Sequence, residues 1–438
     1  MPDELTSVDH ARPVNRPDIP ALTGLRFVAA FSVLIAHGFA AILADHETPY
    51  GAIYWVRQAS GFGMTLFFVL SGFVIHYNYA HLVSVAGPRG VVSYLWARFA
   101  RLYPLFLLMM LVYVLVSSRH IDYWNGHPER MNSTLRALPY FLLSMQSWFY
   151  VVIDDNPLLD AIGGASPITW SISTEWFFYF FYLALVWFVL RSRTPLVTLF
   201  VIVLWCFVWT VIAAALYNRT APINAWAVAH FGPVADVGQR QQDSFVRWLL
   251  YFSPYLRLGE FVLGSLVAHL YVQIRKEKVS TLENSAGTAA FVAAAASVVW
   301  ITYMEYSPDV GTTILRETNM NFALAPSAAL LIFCAARYRG ALFRLLTCRP
   351  AILFGEASYS MYLVHLVVLT VAARLSAPAG HGILYDLAEL LLLIFVILLI
   401  ATALYAYYEA PARRILRGMW RRQQLPARSA APSRPLMS

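Results

Sequence analysis

Residues 20–39 read PALTGLRFVAAFSVLIAHGF, an apolar stretch long enough to cross a membrane as a helix. It carries Arg26 near its start and His37 near its middle. Eleven helical steps of about 100° bring these two side chains to within about 20° of the same direction, about 16 Å apart along the axis. Small residues lie on or beside that face, namely Ala29, Ala30, Ala40 and Ala41.

A strongly polar side chain in the middle of a membrane is costly, so Arg26 and His37 are candidates for function. Each residue taken alone also has a simpler explanation. Arg26 can extend to the lipid headgroups, and His37 can hydrogen-bond to a neighbouring helix. The shared direction of the two side chains favours a functional pair beside a track of small residues.

The composition excludes an ordinary soluble protein. The chain has 438 residues, of which 59% are hydrophobic and 13% are charged. Apolar runs of spanning length recur, which predicts a helical protein that crosses a lipid membrane several times. The net charge of +8 does not indicate a nucleic-acid partner, because seven arginines from Arg413 to Arg434 resemble a membrane-surface anchor. The three cysteines lack metal-ligand spacing, so no metal is expected.

The predicted fold class is all-α, an integral membrane protein with about ten transmembrane helices. The predicted spans are 22–44, 62–82, 101–119, 170–190, 195–217, 249–273, 286–304, 322–337, 350–374 and 384–408.

Short, basic connections follow the second, fourth, sixth and eighth spans. The positive-inside rule then predicts that both termini are cytoplasmic. The expected organisation is a cytoplasmic tail over 1–20, a transmembrane domain over 21–412 and a basic cytoplasmic tail over 413–438. An apolar piece near 137–150 is too short to cross, so we expect it in the interface or re-entering the membrane.

Two motifs lie in and just before the second and third predicted spans. FFVLSGF, residues 67–73, contains Ser71 before a glycine, which is typical of close helix packing. RFARLYP begins at Arg98, and Arg101 falls on the same helical face. At a cytoplasmic surface this pair suits phosphate binding, and it is equally compatible with simple topological anchoring.

The fourth predicted span opens with TWSISTE, which ends at Glu175. Ser171 and Thr174 are candidate helix caps. Glu175 is expected about one turn into the outer leaflet, as an acid/base group, an acceptor ligand or the partner of an arginine. Arg257 is available as that partner, but Glu260 follows it by three residues, so a local structural pair is favoured there.

The ninth predicted span carries SYSMYLVH, residues 358–365. Ser358, Tyr362 and His365 recur at helical spacing and form one polar stripe. Such a stripe usually joins helices, although His365 can also orient a catalytic group. EAPAR, residues 409–413, is explained by the end of the tenth span and by ion pairing.

These six motifs occur in this order over about residues 20–413, and together they resemble the membrane-bound acyltransferase-3 family of bacterial O-acyltransferases. The resemblance implies transfer of an acyl group, usually acetyl from cytoplasmic acetyl-CoA, to a hydroxyl of an extracytoplasmic or lipid-linked glycan. It also implies a multi-pass protein of a bacterial inner (plasma) membrane.

By the same resemblance, His37, Arg26 and Glu175 are the catalytic candidates. Arg26, Arg98 and Arg101 would hold the donor. The sequence departs from the family at Ala97, a position that is often arginine, and at Trp176, which follows Glu175 where a second polar group is usual.

Two alternatives stay open. A transporter or flippase of lipid-linked saccharides would also place polar residues inside the membrane, although the chain shows no internal repeat. The same chemistry with a longer acyl donor, such as succinyl, is the second alternative.

Overall fold

The computed structural model describes residues 17–116, 128–160, 166–238, 244–306, 322–375 and 382–424. The α-helices in these ranges are α1 Pro20–Ile42, α2 Ala52–Arg57, α3 Ala59–Val85, α4 Gly87–Val116, α5 Pro128–Leu142, α6 Ser166–Val189, α7 Pro195–Tyr217, α8 Thr220–Phe231, α9 Phe245–Arg247, α10 Pro254–Ile274, α11 Thr281–Tyr306, α12 Ala325–Arg337, α13 Ala341–Leu346, α14 Arg349–Glu356, α15 Ser358–Leu375, α16 Ile383–Leu404 and α17 Ala410–Gln424. Strands β1 Val152–Ile153 and β2 Asn156–Pro157 form one short antiparallel hairpin.

Within the described ranges, seven helical stretches are long and apolar enough to cross a membrane, and the bent pair α14 and α15 makes an eighth if it is one span. The predicted all-α membrane architecture is therefore confirmed at this level. Helix α10, predicted as a span, is less apolar because it contains Arg257 and Glu260, and most of its side chains are buried. Helix α12 has 13 residues, about 20 Å of helix, which is shorter than the hydrocarbon layer. The total of ten spans and the side of each terminus stay predictions.

The predicted span 350–374 is not one straight helix. Helices α14 and α15 meet at an angle of 71°. Gly355, at the end of α14, lies directly against α1, since a Cβ atom there would come within 2.0 Å of the Thr23 carbonyl oxygen. This contact holds α14 against α1, and α15 leaves it at the bend.

Helices α3 and α10 pack through glycines on both sides. A Cβ at Gly72 would lie 2.0 Å from the Phe261 carbonyl oxygen, and one at Gly264 would lie 2.0 Å from that of Val69. Close packing at the serine–glycine pair of α3 is thus confirmed for Gly72. The contact brings two backbones together at the centre of the bundle.

The apolar piece near 137–150 is helical only as far as Leu142, and a turn follows. Helix α5 ends at Leu142, and Ser144 has φ +56°. The Gln146 amide donates to the Thr169 carbonyl (3.0 Å), and the Ser147 hydroxyl donates to Ser173 Oγ (2.9 Å). All three turn residues are fully buried, so the turn is held against the start of α6.

The predicted helix end at residues 409–413 is wrong. Helix α16 continues through a π-helical turn, Tyr405–Glu409, directly into α17. Pro411 removes one hydrogen bond from this continuous helix, and the π-helical turn just before it accommodates the interruption. Glu409 accepts a hydrogen bond from the Ser360 hydroxyl (2.7 Å), which anchors the turn to α15.

Candidate active site

A partly open cavity lies between α1, α3, α4, α6 and α15. Its apolar wall comes mainly from α3. Its polar lining residues are Arg26, Ser71, Arg98, Arg101, Ser171, Glu175, Ser358, Tyr359 and Tyr362. The structure therefore collects most of the predicted site residues from five separate helices into one space.

Arg98 is more deeply buried than a residue at a wet membrane surface. It is 4% exposed, and its guanidinium lies 4.5 Å from the centre of the Tyr79 ring. Its Nη2 atom donates to the Tyr79 hydroxyl (2.6 Å), while its Nε atom is buried without a hydrogen-bond partner. Arg101 lines the same cavity one turn later, as the spacing predicts. The aromatic contacts hold one arginine rigidly beside a more accessible one.

Glu175 lies in this same cavity, not in a separate outer site. Its Oε1 atom accepts hydrogen bonds from the Ser71 hydroxyl (3.0 Å) and from the Tyr179 hydroxyl (2.6 Å). Ser71 thus faces the cavity and fixes the carboxylate, while its neighbour Gly72 makes the helix contact. The expected separation of Glu175 from the arginines is not observed; its role toward the acceptor stays a prediction.

The cavity carries an excess of positive charge. Arg26 lies close enough to Arg98, Arg101 and Glu175 to interact electrostatically with all three. Among the residues that the structure describes, no carboxylate lies within 4.0 Å of the guanidinium nitrogens of Arg26, Arg98 or Arg101. The carboxylates near these arginines are Glu175 and the more remote Glu409, whose charge interacts with Arg26 and Arg101. Three guanidinium groups at one cavity still favour an anionic ligand.

His37 does not line the cavity but meets His365 beside it. Their Nδ1 and Nε2 atoms are 2.9 Å apart, and their rings are nearly parallel, at 6°. Tyr362 connects the two places, because it lines the cavity and its ring centre lies 5.8 Å from that of His365. The predicted stripe on α15 is therefore confirmed as one polar edge that runs from the cavity to the histidine pair.

The partners of His365 determine which nitrogen of His37 is free in the neutral pair. The carbonyl groups of Met361 and Tyr362, one turn earlier in α15, lie near the His365 ring and favour a proton on the ring nitrogen of that side. A carbonyl group only accepts, so the ring nitrogen facing it, Nδ1, carries the proton. His365 Nε2 then accepts from the Nδ1–H group of His37. The Nε2 atom of His37 is left without a proton and with its lone pair available.

Ser171 and Thr174 are not helix caps, because α6 begins at Ser166. The Ser171 hydroxyl lies 2.8 Å from the Tyr362 hydroxyl, which also donates to the Ile168 carbonyl (3.2 Å). Thr174 donates to the Phe252 carbonyl (3.2 Å). These hydroxyls join α6 to α15 and to the segment before α10, and thereby hold Tyr362 in place.

Arg257 and Glu260 form the local structural pair that their spacing predicts. Arg257 Nη1 and Glu260 Oε1 are 2.9 Å apart, and both side chains are almost completely buried. Thr65 of α3 donates to the same carboxylate oxygen (2.8 Å), and Arg257 Nε donates to the Tyr251 carbonyl (3.0 Å). Neither residue lines the cavity, so Arg257 is not the partner of Glu175.

The proposed track of small residues on α1 is filled around Ala29 and Ala30, whereas Ala40 is half-buried and Ala41 is exposed. Ala29 and Ala30 are at most 1% exposed, and neither lines the cavity. Gly63 of α3 sits directly against the Ala29 carbonyl. The small residues bring α1 and α3 together, so the open space follows α3 and α15 instead.

Several residues around the site carry no signal in the sequence. Tyr79 and Tyr179 read as ordinary apolar-face aromatics until their hydroxyls are seen to bind Arg98 and Glu175. The sequence places Arg413 in a surface tail, yet its charge acts on Arg26. Within the described ranges, no three His, Cys, Asp or Glu side chains are grouped as metal ligands would be.

Comparison with known proteins identifies the family of the chain. The model of the acyltransferase-3 family, described as an acyltransferase domain, matches residues 19–407. The acyltransferase MdmB of Streptomyces mycarofaciens is 26% identical over 406 residues, which cover 91% of this chain and 92% of that protein. YrhL of Bacillus subtilis (strain 168), named as a putative peptidoglycan O-acetyltransferase, is 24% identical over 410 residues.

That second alignment covers 90% of this chain and 55% of YrhL. No solved structure matches the chain. The family model covers most of the sequence, and the proteins found are acyltransferases rather than transporters. This all-α membrane protein belongs to the membrane-bound acyltransferase-3 family and is an acyltransferase.

Proposed function

We propose that the protein transfers an acyl group, most simply acetyl, from cytoplasmic acyl-CoA to a hydroxyl of a cell-surface or lipid-linked glycan. The observation that carries this proposal is the basic cavity next to the His37–His365 pair, with Tyr362 shared between them. The name of YrhL supports an acetyl group and a glycan acceptor.

The donor would bind through its phosphates. Coenzyme A combines a highly anionic nucleotide end with a slender pantetheine arm that ends in the thioester. Arg26, Arg98 and Arg101 supply guanidinium groups that can form charge-assisted hydrogen bonds to phosphate oxygens. The apolar wall along α3 suits the uncharged arm, which would extend toward Tyr362 and the histidine pair.

The chemistry requires one free imidazole nitrogen. The acceptor O–H proton moves to His37 Nε2 as its oxygen attacks the thioester carbon. The C–S bond then breaks, and the proton passes from His37 to the departing CoA thiolate, so that no proton is gained or lost overall. His37 Nε2 can also attack the thioester itself, which gives an acyl-histidine that the acceptor hydroxyl then cleaves.

The wider setting is part of the proposal. Ten spans, with both termini in the cytoplasm of a bacterial plasma membrane, would bring donor and acceptor to the site from opposite sides. Residues 21–412 would form the transmembrane enzyme, with polar ends over 1–20 and 413–438.

The test uses the full chain in nanodiscs with radiolabelled acetyl-CoA. We expect slow hydrolysis of acetyl-CoA without acceptor, and loss of one glycan O-acyl group in a deletion strain. A donor panel that extends to succinyl-CoA identifies the acyl group. Saccharide movement across the membrane with no acetyl-CoA turnover would show that transport, not transfer, is the activity.

A further inference from the structure

Helix α17 lies beyond residue 407, where the match to the family model ends, yet it is docked on the candidate site. The Trp96 indole of α4 donates to the Leu416 carbonyl (2.9 Å), and the Trp420 indole donates to Ser93 Oγ (3.1 Å). The two indole rings are stacked with their centres 5.9 Å apart. These contacts fix α17 along the half of α4 that carries Arg98 and Arg101.

Two arginines of α17 join the charges of the cavity. Arg413 and Arg417 are four residues apart and share one helical face. Arg413 interacts electrostatically with Arg26. Arg417 interacts in the same way with the Tyr79 hydroxyl, which is the hydrogen-bond partner of Arg98. The charges of Arg98 and Arg413 in turn act on Arg417.

This cluster has an unused hydrogen-bonding group on each helix. The Nε atoms of Arg98 and Arg417 are both buried without a hydrogen-bond partner. Among the described residues, no carboxylate lies within 4.0 Å of the Arg413 or Arg417 guanidinium nitrogens. The Glu409 carboxylate interacts with Arg413 and Arg101 and offsets part of this positive charge. The remaining like charges, held together at a partly buried place, are unfavourable unless an anion binds between them.

We propose that Arg413 and Arg417 bind the 3′-phosphate of the CoA donor, an inference that rests on the proposed function. Neither lines the cavity, whereas Arg26, Arg98 and Arg101 do. The chemical order along CoA is thioester, pantetheine, diphosphate and then the ribose 3′-phosphate. With the thioester toward Tyr362, the cavity arginines meet the diphosphate, and the next charge along the ligand meets α17.

The experiment measures binding of CoA and 3′-dephospho-CoA to the full chain in zwitterionic nanodiscs. The Arg413→Gln/Arg417→Gln double variant keeps the aliphatic stems and removes both charges. We expect it to lose about tenfold to a hundredfold in CoA affinity, as two charge-assisted contacts would give. Its affinity for 3′-dephospho-CoA is expected to stay within about threefold of the unaltered protein, which also shows that the site is folded.

Arg414→Gln is the matched control, because Arg414 is exposed on the same helix. It should bind both ligands normally. Unchanged CoA affinity in the double variant, or an equal loss for both ligands, overturns this inference alone. Binding of neither ligand by the unaltered protein overturns the proposed donor as well. If the double variant loses CoA affinity only in nanodiscs of anionic lipid and not in zwitterionic ones, the two arginines bind a lipid headgroup and not the 3′-phosphate.

Discussion

His37 Nδ1 lies 2.9 Å from His365 Nε2, although 328 positions separate the two residues in the sequence. With a proton on the nitrogen beside the Met361 and Tyr362 carbonyl groups, His365 is the acceptor in the neutral pair. In the proposed mechanism, His365 is a positioning residue, which orients His37 so that its Nε2 atom is free to react.

The first prediction concerns His37 itself. His37→Ala should reduce acyl transfer by at least about a hundredfold, since a general base contributes about 10²–10⁴-fold. Expression and membrane insertion should stay near normal, because a polar group is removed from the membrane. Transfer above about a tenth of the normal rate would exclude the proposed role of this imidazole.

The second prediction separates positioning from chemistry. His365→Ala should lower the transfer rate about tenfold to a hundredfold with little change in the Kd for acyl-CoA. His365→Gln should recover part of the rate, because its amide oxygen can accept the Nδ1–H group of His37. Equal rates for the alanine and glutamine variants would indicate that His365 serves packing only.

For Glu175, the informative change is Glu175→Gln. The amide side chain of this variant keeps an oxygen that can accept from Ser71 and Tyr179, so only the charge is lost. We expect glycan acylation to fall at least about tenfold, and CoA affinity to stay equal or rise because a carboxylate no longer repels phosphates. A loss of CoA affinity in this variant would show that Glu175 supports the donor site.

Arg101 is the accessible member of its pair, so its removal should test phosphate binding with least damage to the fold. Arg101→Ala should weaken CoA binding about tenfold at low salt, with a smaller effect at high salt because exposed charges are screened. Arg89→Ala, an exposed change on the same helix, is the control and should bind CoA normally. Indistinguishable affinities for the two variants would favour the topological interpretation of Arg101.

A stability prediction follows from the glycine contacts of α3. Gly72→Ala should strongly lower the yield and the thermal stability of the folded protein in detergent, because the Phe261 carbonyl already occupies the space. Gly61→Ala on the same helix meets nothing within 4 Å and should be neutral or slightly stabilising. Similar melting curves for both variants would contradict the packing described above.

Local features of the sequence predict much of this molecule. Apolar runs give most of the membrane helices, and helical spacing places Arg98 with Arg101 and Ser358 with Tyr362. The local pair of Arg257 and Glu260 is predicted for the same reason, since both partners lie on one helix.

What the sequence does not predict depends on contacts between distant helices. The stacking of His37 on His365, the Tyr79–Arg98 contact and the return of α17 onto α4 arise from tertiary packing. The sequence also misplaces Glu175, which it predicts to lie about one turn into the outer leaflet. The depth of a residue in the membrane depends on the tilt of its helix and on where that helix begins, and α6 begins at Ser166. Small residues on α1 predict an open track, but small side chains equally allow a neighbouring helix to fill that space.

The glycine contacts between α3 and α10 also determine how the cavity can open. Helix α3 supplies seven of the cavity's lining residues, and its backbone touches that of α10 with no spare volume. Such a wall cannot slide or tilt without breaking both contacts, so it is mechanically stiff. Any widening that admits a donor or releases a product is therefore expected from displacement of the other helices that line the cavity, α1, α4, α6 or α15.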